Sequence, residues 1–150
     1  CLKEYMASLS FEDTMSAYDR GVFLMHKLHQ DLSYEKGVTT FQTTAEEAMK
    51  LKKGVCQDYA HILIALLRMM RIPARYVVGM MIGEGFSHAW VEMEADGRWY
   101  GLDPTNDVLV GENYIKISHG RDYNDCIVIK GVFTGMASQK QDISVIVCEQ

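Results

Sequence analysis

Cys56 lies near the start of a long, largely apolar segment, GVCQDYAHILIALLRMMRIP, that spans residues 54–73. Its near-continuous apolar character predicts a buried helix from about Cys56 to Met70, which Pro73 stops. A helix N-terminus favours an anion, because its free N–H groups and its dipole act on the first residues, and such a position activates thiols as nucleophiles. Two interpretations of Cys56 are therefore open: a reactive thiolate, or a small apolar residue that fills the core.

A base for such a thiolate, and a group that orients the base, are offered by a predicted hairpin. The stretch SHAWVEMEADGRWYGLDP contains the turn signal Asp96-Gly97 between two strand-like segments. With a two-residue turn, Trp90 faces Asp103, so that His88 and Asp103 are diagonal neighbours on one face. A four-residue loop gives the same register, whereas a three-residue loop places the two side chains on opposite faces. The register therefore predicts a His–Asp pair.

Helical phase separates Cys56 from the polar residues nearest to it in sequence. Asp58 and His61 share one face of the predicted helix, where we expect a structural hydrogen-bonded pair. Cys56 lies on the face of Tyr59 and Leu63, which should pack against the strands. The expected partners of Cys56 are therefore on the hairpin.

The elements that must position these residues divide the chain into a helical and a strand-rich part. We expect a helix over about residues 10–34, with Ser10 as its N-cap and Asp13 three residues later. A capping box at Thr44 and Glu47 predicts a short helix to about Lys52, which Gly54 ends. The strand candidates are ARYVVGMMI, the two hairpin strands, YIKISHG, CIVIKGVF and ISVIVCEQ. This order predicts an α+β fold, with N-terminal helices packed on one side of a C-terminal antiparallel sheet.

The bulk composition restricts the classes of function. At 150 residues the chain is expected to form a single domain, 1–150, and because it begins with Cys1 rather than Met it is expected to be a segment of a longer protein. A net charge of −5 argues against a nucleic-acid partner, since phosphate binding requires a basic patch. No apolar run reaches the roughly 20 residues that span a bilayer, so no membrane role is expected.

The cysteine pattern bears on compartment and on metal binding. The four cysteines include no CxxC pair, which predicts reduced thiols in the cytoplasm. Because no second thiol lies close to Cys56 in sequence, no zinc or other metal site is expected, and no cofactor.

Several motifs together resemble the bacterial transglutaminase-like superfamily, over residues 34–135. They are YEKGVTTFQTTAEEAM, GVCQDYAHILIALLRMMRIPARYVVG, SHAWVEM, RWYGLDPTN and GRDYNDCIVIKGVFTG. The resemblance implies a core related to the papain-like cysteine peptidase fold. It also implies that Cys56 is the nucleophile, that His88 is the base and that Asp103 orients His88.

The activity that the resemblance implies is thiol acyl transfer on the amide bonds of a protein or peptide substrate. A cysteine peptidase or amidase and a protein-glutamine transamidase both fit, and the alternative is an inactive protein-binding module of the same fold. Animal transglutaminases carry Trp directly after the catalytic Cys, where this chain has Gln57. Their calcium-binding insertions have no room here. Gln57 is a candidate oxyanion donor, and Trp90 is a candidate for lining the substrate channel.

Overall fold

The computed structural model describes residues 1–83, 87–127 and 146, and in it helices precede an antiparallel sheet. The helices are α1 (Leu2–Ser8), α2 (Ala17–Asp31), α3 (Ala45–Leu51) and α4 (Cys56–Met69). The strands are β1 (Ser33–Tyr34), β2 (Lys53–Gly54), β3 (Ala74–Met81), β4 (His88–Ala95), β5 (Arg98–Asp103), β6 (Val108–Leu109) and β7 (Tyr114–Gly120), and a 3₁₀ helix (Tyr123–Cys126) follows. The predicted α+β class is confirmed.

Five strands form the main sheet in the order β6-β5-β4-β3-β7, with antiparallel neighbours throughout. The β4–β5 hairpin closes on Ala95 opposite Arg98, so its turn has two residues, as the Asp-Gly signal predicts. Both turn residues have positive φ, 50° at Asp96 and 76° at Gly97. A type I′ turn requires this at both central positions, and its twist matches that of the flanking strands.

Helix α4 is the centre of the core and is buried almost all round. Leu63, Leu66 and Leu67 have no exposed surface, and the helix packs on β4 and β3 with α2 and α3 beside it. Gly21 lets α2 approach the sheet, because a Cβ at this position would lie 2.0 Å from the Met93 Sδ. The glycine inside α2 is therefore a point of close packing.

One predicted helix start differs from the structure. Helix α2 begins after Ser16, because the Ser16 hydroxyl accepts the Asp19 N–H (3.1 Å) and the Asp19 carboxylate accepts the Ser16 N–H (3.2 Å). Ser10, the predicted N-cap, precedes this start, and α1 was not predicted. The Thr44 capping box of α3 and its end at about Lys52 are confirmed, and the C-cap is Lys52 itself, with a φ of 52°, rather than Gly54.

The last predicted strands are only partly described. YIKISHG forms β7 as predicted. The strand predicted from Cys126 does not begin there, because Cys126 closes the 3₁₀ helix. Residues 128–133 of CIVIKGVF, and all of ISVIVCEQ except Ile146, lie outside the described residues. Over the described ranges, no helix is long and apolar enough to cross a membrane.

Candidate active site

The carboxylate of Asp103, at the end of β5, is fully buried and accepts five hydrogen bonds. Its Oδ2 accepts from His88 Nε2 (2.7 Å), the Tyr114 hydroxyl (2.7 Å) and Asn106 Nδ2 (2.8 Å). Its Oδ1 accepts the backbone N–H groups of Thr105 (3.0 Å) and Asn106 (3.3 Å). Burial raises the pKa of Asp103, but the interactions with His88, Tyr114 and Asn106 outweigh it and the pKa lies below its ordinary value. The carboxylate is therefore held ionised.

His88, at the start of β4, lies between this carboxylate and the Cys56 thiol. Burial, the largest influence, lowers the pKa of the ring, but hydrogen bonds with Asp103 and Cys56 and their charges raise it to about 10. An ionised carboxylate can only accept, so Nε2 carries a proton and the second ring nitrogen, Nδ1, is available to Cys56. The His88–Asp103 pairing predicted from the hairpin register is present in the structure.

Cys56 is the first residue of α4, and its half-buried side chain packs against the hydrophobic core. Asp58 holds the start of this helix, because its Oδ2 accepts the Val55 N–H (2.7 Å) and the Thr39 hydroxyl (2.7 Å). Gly54 leaves room for that carboxylate, since a Cβ there would lie 2.4 Å from it. Asp58 therefore fixes the backbone immediately before the thiol.

The expected hydrogen-bonded pair of Asp58 and His61 is not formed. Asp58 is occupied by Val55 and Thr39, whereas His61 Nε2 accepts the backbone N–H of Tyr123 (3.1 Å). The two side chains do share a helical face, but each is directed to a different loop.

Trp90 packs against His88 and is almost fully buried, at 1% exposure, and its place in a substrate channel stays a prediction. Its ring stacks on that of His88 with centroids 6.3 Å apart. Tyr114 packs edge-on against Trp90 at 5.3 Å. Gly79, which pairs with His88 across the sheet, makes room for the indole, since a Cβ there would lie 2.4 Å from it. The imidazole therefore has a rigid aromatic backing.

Gln57 is directed toward the loop that precedes α3. Its Nε2 donates to the Phe41 carbonyl at 3.2 Å. This hydrogen bond takes up one amide proton of the predicted oxyanion donor, and the role of Gln57 in a reaction stays a prediction.

Helix α2 holds the loop that follows Asp103, although none of its residues was predicted to contribute to the site. His29 Nδ1 is hydrogen-bonded to the Thr105 carbonyl at 3.0 Å, and His26 pairs with Asp107. The same loop supplies the N–H groups that Asp103 accepts. Asp103 is thus held by contacts from β4, from its own loop and from β7, and that loop is anchored to α2.

A thiol, an imidazole and a carboxylate connected in this order are the groups needed for nucleophilic catalysis. Within the described part of the chain, no cluster of three or more His, Cys, Asp or Glu side chains is arranged to hold a metal ion.

Comparison with known proteins assigns this chain to a family. The family model of the transglutaminase-like superfamily matches residues 6–104. An uncharacterised protein of Mycobacterium leprae is 40% identical over 124 residues, and one of Mycobacterium tuberculosis is 38% identical over 139. These matches cover 76% and 81% of this chain and 44% of each relative, so the chain spans less than half the length of these relatives.

Solved structures share the fold at low sequence identity. A candidate cysteine protease from Cytophaga hutchinsonii has a TM-score of 0.71 at 24% identity, covering 95% of this chain and 54% of that one. A TGase has a TM-score of 0.58 at 17% identity, covering 69% of this chain and 30% of that one. The EGTA-treated LapG of Legionella pneumophila has a TM-score of 0.62 at 13% identity, covering 77% of this chain and 67% of that one. On the match of the family model and the mycobacterial relatives, the chain belongs to the transglutaminase-like superfamily.

Proposed function

We propose that this protein is a cysteine-dependent enzyme that transfers an acyl group from an amide bond of a protein or peptide substrate. The observation that carries the proposal is the position of His88, which is bonded to Asp103 through Nε2 and interacts with the Cys56 thiol. Membership of the superfamily and the fold shared with a candidate cysteine protease and a TGase support it.

In the proposed reaction, Cys56 is the nucleophile and His88 is the general base and acid. Because the raised pKa of His88 keeps the ring an imidazolium at neutral pH, the thiol proton already lies on Nδ1 before attack. The Cys56 thiolate then attacks the amide carbonyl carbon to form a C–S bond. When the C–N bond breaks, His88 returns the proton to the leaving amine. A thioester with Cys56 remains, and water or a second amine resolves it by the same proton transfers in reverse.

Asp103 has an orienting role in this scheme. An ionised carboxylate on Nε2 selects the tautomer whose Nδ1 lone pair faces the thiol, and it stabilises the imidazolium that forms. The raised pKa of His88 means that an imidazolium partner for the thiolate persists at neutral pH. In this scheme the backbone N–H of Cys56, at the N-terminus of α4, donates to the oxyanion.

The test is the rate of alkylation by iodoacetamide at about pH 6, where an ordinary thiol is almost entirely protonated and slow. We expect rapid single labelling that is lost in Cys56→Ala and retained in Cys1→Ala and Cys126→Ala, which are matched controls at two other free thiols. A wild-type protein that labels no faster than Cys56→Ala would exclude an activated thiolate and favour a binding module.

A second assay separates the two enzyme classes. Glutamine-containing peptides are incubated with and without a primary amine, and ammonia and the modified peptide are measured. Ammonia release without the amine indicates hydrolysis, whereas release that requires the amine and yields the conjugate indicates transamidation.

A further inference from the structure

Tyr76 lies in β3 and packs between the sheet and the helix that carries the thiol. In the β3–β4 ladder it pairs with Val91, and its side chain is only 2% exposed. The centroid of its ring lies 5.1 Å from that of His61 on α4. The half-buried side chain of Cys56 packs against the same core cluster that contains Tyr76. The ring of Tyr76 is therefore fixed beside the first turns of α4.

The hydroxyl of this buried side chain has no hydrogen-bond partner within the described part of the chain. Polar groups of buried side chains are normally paired, because leaving one unpaired costs the free energy of its desolvation. Among the described residues, the unpaired side-chain polar atoms that are wholly enclosed are Trp90 Nε1 and Thr105 Oγ1. The oxygen of Tyr76 therefore still reaches solvent, and its O–H is available to a ligand.

The hydroxyl is directed from the backbone of β3 toward Cys56. The Cys126 thiol donates to the backbone carbonyl of Tyr76 at 3.9 Å, so Cys126 marks the backbone end of the side chain. Burial is the largest influence that raises the pKa of Tyr76, and Cys56 adds more to that rise than Cys126 does. The raised pKa keeps the hydroxyl protonated at neutral pH, so it can donate a hydrogen bond.

Attack by Cys56 on a carbonyl carbon creates a need for donors. As the C–S bond forms, the electron pair of the C=O bond moves to the oxygen, and it returns when the bond to the leaving group breaks. The backbone N–H of Cys56 supplies one donor in the proposed reaction. Gln57, the candidate for a second donor, already gives an amide proton to the Phe41 carbonyl at 3.2 Å. A free donor on the sheet side of the thiol would complete the pair.

We propose that the Tyr76 hydroxyl donates the second hydrogen bond to the oxyanion that forms at Cys56, which makes Tyr76 a catalytic residue. This role rests on the proposed function and adds to it a donor from β3. Because the ring is held in the core, the donor needs no rearrangement when charge develops on the oxygen.

The test compares two reactions of Cys56 in the wild type and in Tyr76→Phe, each followed at Cys56 by mass spectrometry. p-Nitrophenyl acetate acylates the thiolate through a tetrahedral oxyanion and releases p-nitrophenolate, whereas iodoacetamide alkylates it at a saturated carbon. We expect Tyr76→Phe to slow acylation about 10²-fold, the scale for the loss of one oxyanion donor, and to leave alkylation unchanged. Tyr59→Phe is the matched control at another buried tyrosine of the core, and it should leave both rates unchanged.

The outcomes separate the role of Tyr76 from the reactivity of Cys56. Unchanged acylation in Tyr76→Phe, beside rapid alkylation, would overturn the oxyanion role and leave the proposed function intact. An equal fall in both rates would show that the hydroxyl acts on the thiolate, which also contradicts that role. Slow alkylation of the wild type would refute the proposed function itself. Thermal unfolding of Tyr76→Phe should match the wild type, and a lower unfolding temperature would indicate a structural partner for the hydroxyl and count against a catalytic one.

Discussion

Replacing Asp103 by Asn tests how the site is held, because the side chain keeps its size and loses its charge. An amide oxygen can take the place of Oδ1 and still accept the N–H groups of Thr105 and Asn106. The amide nitrogen then takes the place of Oδ2, where three side-chain donors meet, among them His88 and Tyr114. That nitrogen cannot accept, so the imidazole must present its Nε2 lone pair to it.

The change reverses the tautomer of His88 and lowers its basicity. The proton moves to Nδ1, the atom that has to accept the thiol proton of Cys56. Burial, the largest influence on the ring, is then no longer opposed by Asp103, and the pKa of His88 falls from about 10 toward its ordinary value of 6.5. An imidazolium that persists up to about pH 10 in the wild type is thus lost at lower pH. We expect amide cleavage at pH 7 to fall about 10⁴-fold, the scale of such a tautomer change. Labelling at pH 7 should fall about 30-fold, because a thiol with an ordinary pKa of about 8.5 is still a few per cent thiolate there.

The assay is the iodoacetamide rate of Cys56 followed from about pH 5 to about pH 10. Asp96→Asn is the matched control, since it makes the same substitution at an exposed carboxylate in the two-residue turn at the other end of β5, where Asn is also a favoured residue. We expect the control to keep the wild-type profile. If Asp103→Asn labels at the wild-type rate over the whole range, Asp103 does not govern His88 and the reasoning is refuted.

Three further substitutions test the supports of the site and of the core. Tyr114→Phe removes one of five hydrogen bonds to the Asp103 carboxylate and should cost about 1.5–3 kcal/mol, measured by urea unfolding, while amide cleavage falls less than in Asp103→Asn. Asp58→Ala leaves the Val55 N–H without its acceptor, so it should lower the free energy of unfolding by about 1–3 kcal/mol and slow the labelling of Cys56. Asp58→Asn keeps an acceptor oxygen, so both effects should be smaller in that variant. Leu63→Ala should lower the free energy of unfolding by about 2–5 kcal/mol. A change near zero in that free energy would contradict the place of Leu63 in the core.

The parts of the site that sequence reasoning could predict are those fixed by local rules. The Asp-Gly turn determines the register of β4 against β5, and the register determines that His88 and Asp103 lie on one face. The buried helix α4 that begins at Cys56 follows from the apolar run, and its end ahead of Pro73 follows from that proline. Each of these inferences needs only the period of an element or the length of a turn.

The parts that were not predicted depend on contacts between distant segments. Tyr114 reaches Asp103 because β7 pairs with β3, at the opposite edge of the sheet from β6. No local sequence pattern predicts this strand order. Asp58 is directed to Thr39 and to Val55 rather than to His61, which depends on the path of the preceding loop. Ser10 with Asp13 and Ser16 with Asp19 have the same N-cap spacing, so the local pattern does not select the start of α2.

Helix α2 determines how far the N-terminus can be truncated before the candidate active site loses its supporting contacts. A polypeptide cut just before Ser33 would keep Cys56, His88 and Asp103 and every strand of the sheet. It would lose the two imidazoles that anchor the loop after β5, and it would uncover the sulfur that Gly21 now covers. An N-terminally truncated variant or a fusion protein therefore has to begin ahead of Ser16. Helix α2 limits the truncation although it contributes none of the three residues Cys56, His88 and Asp103.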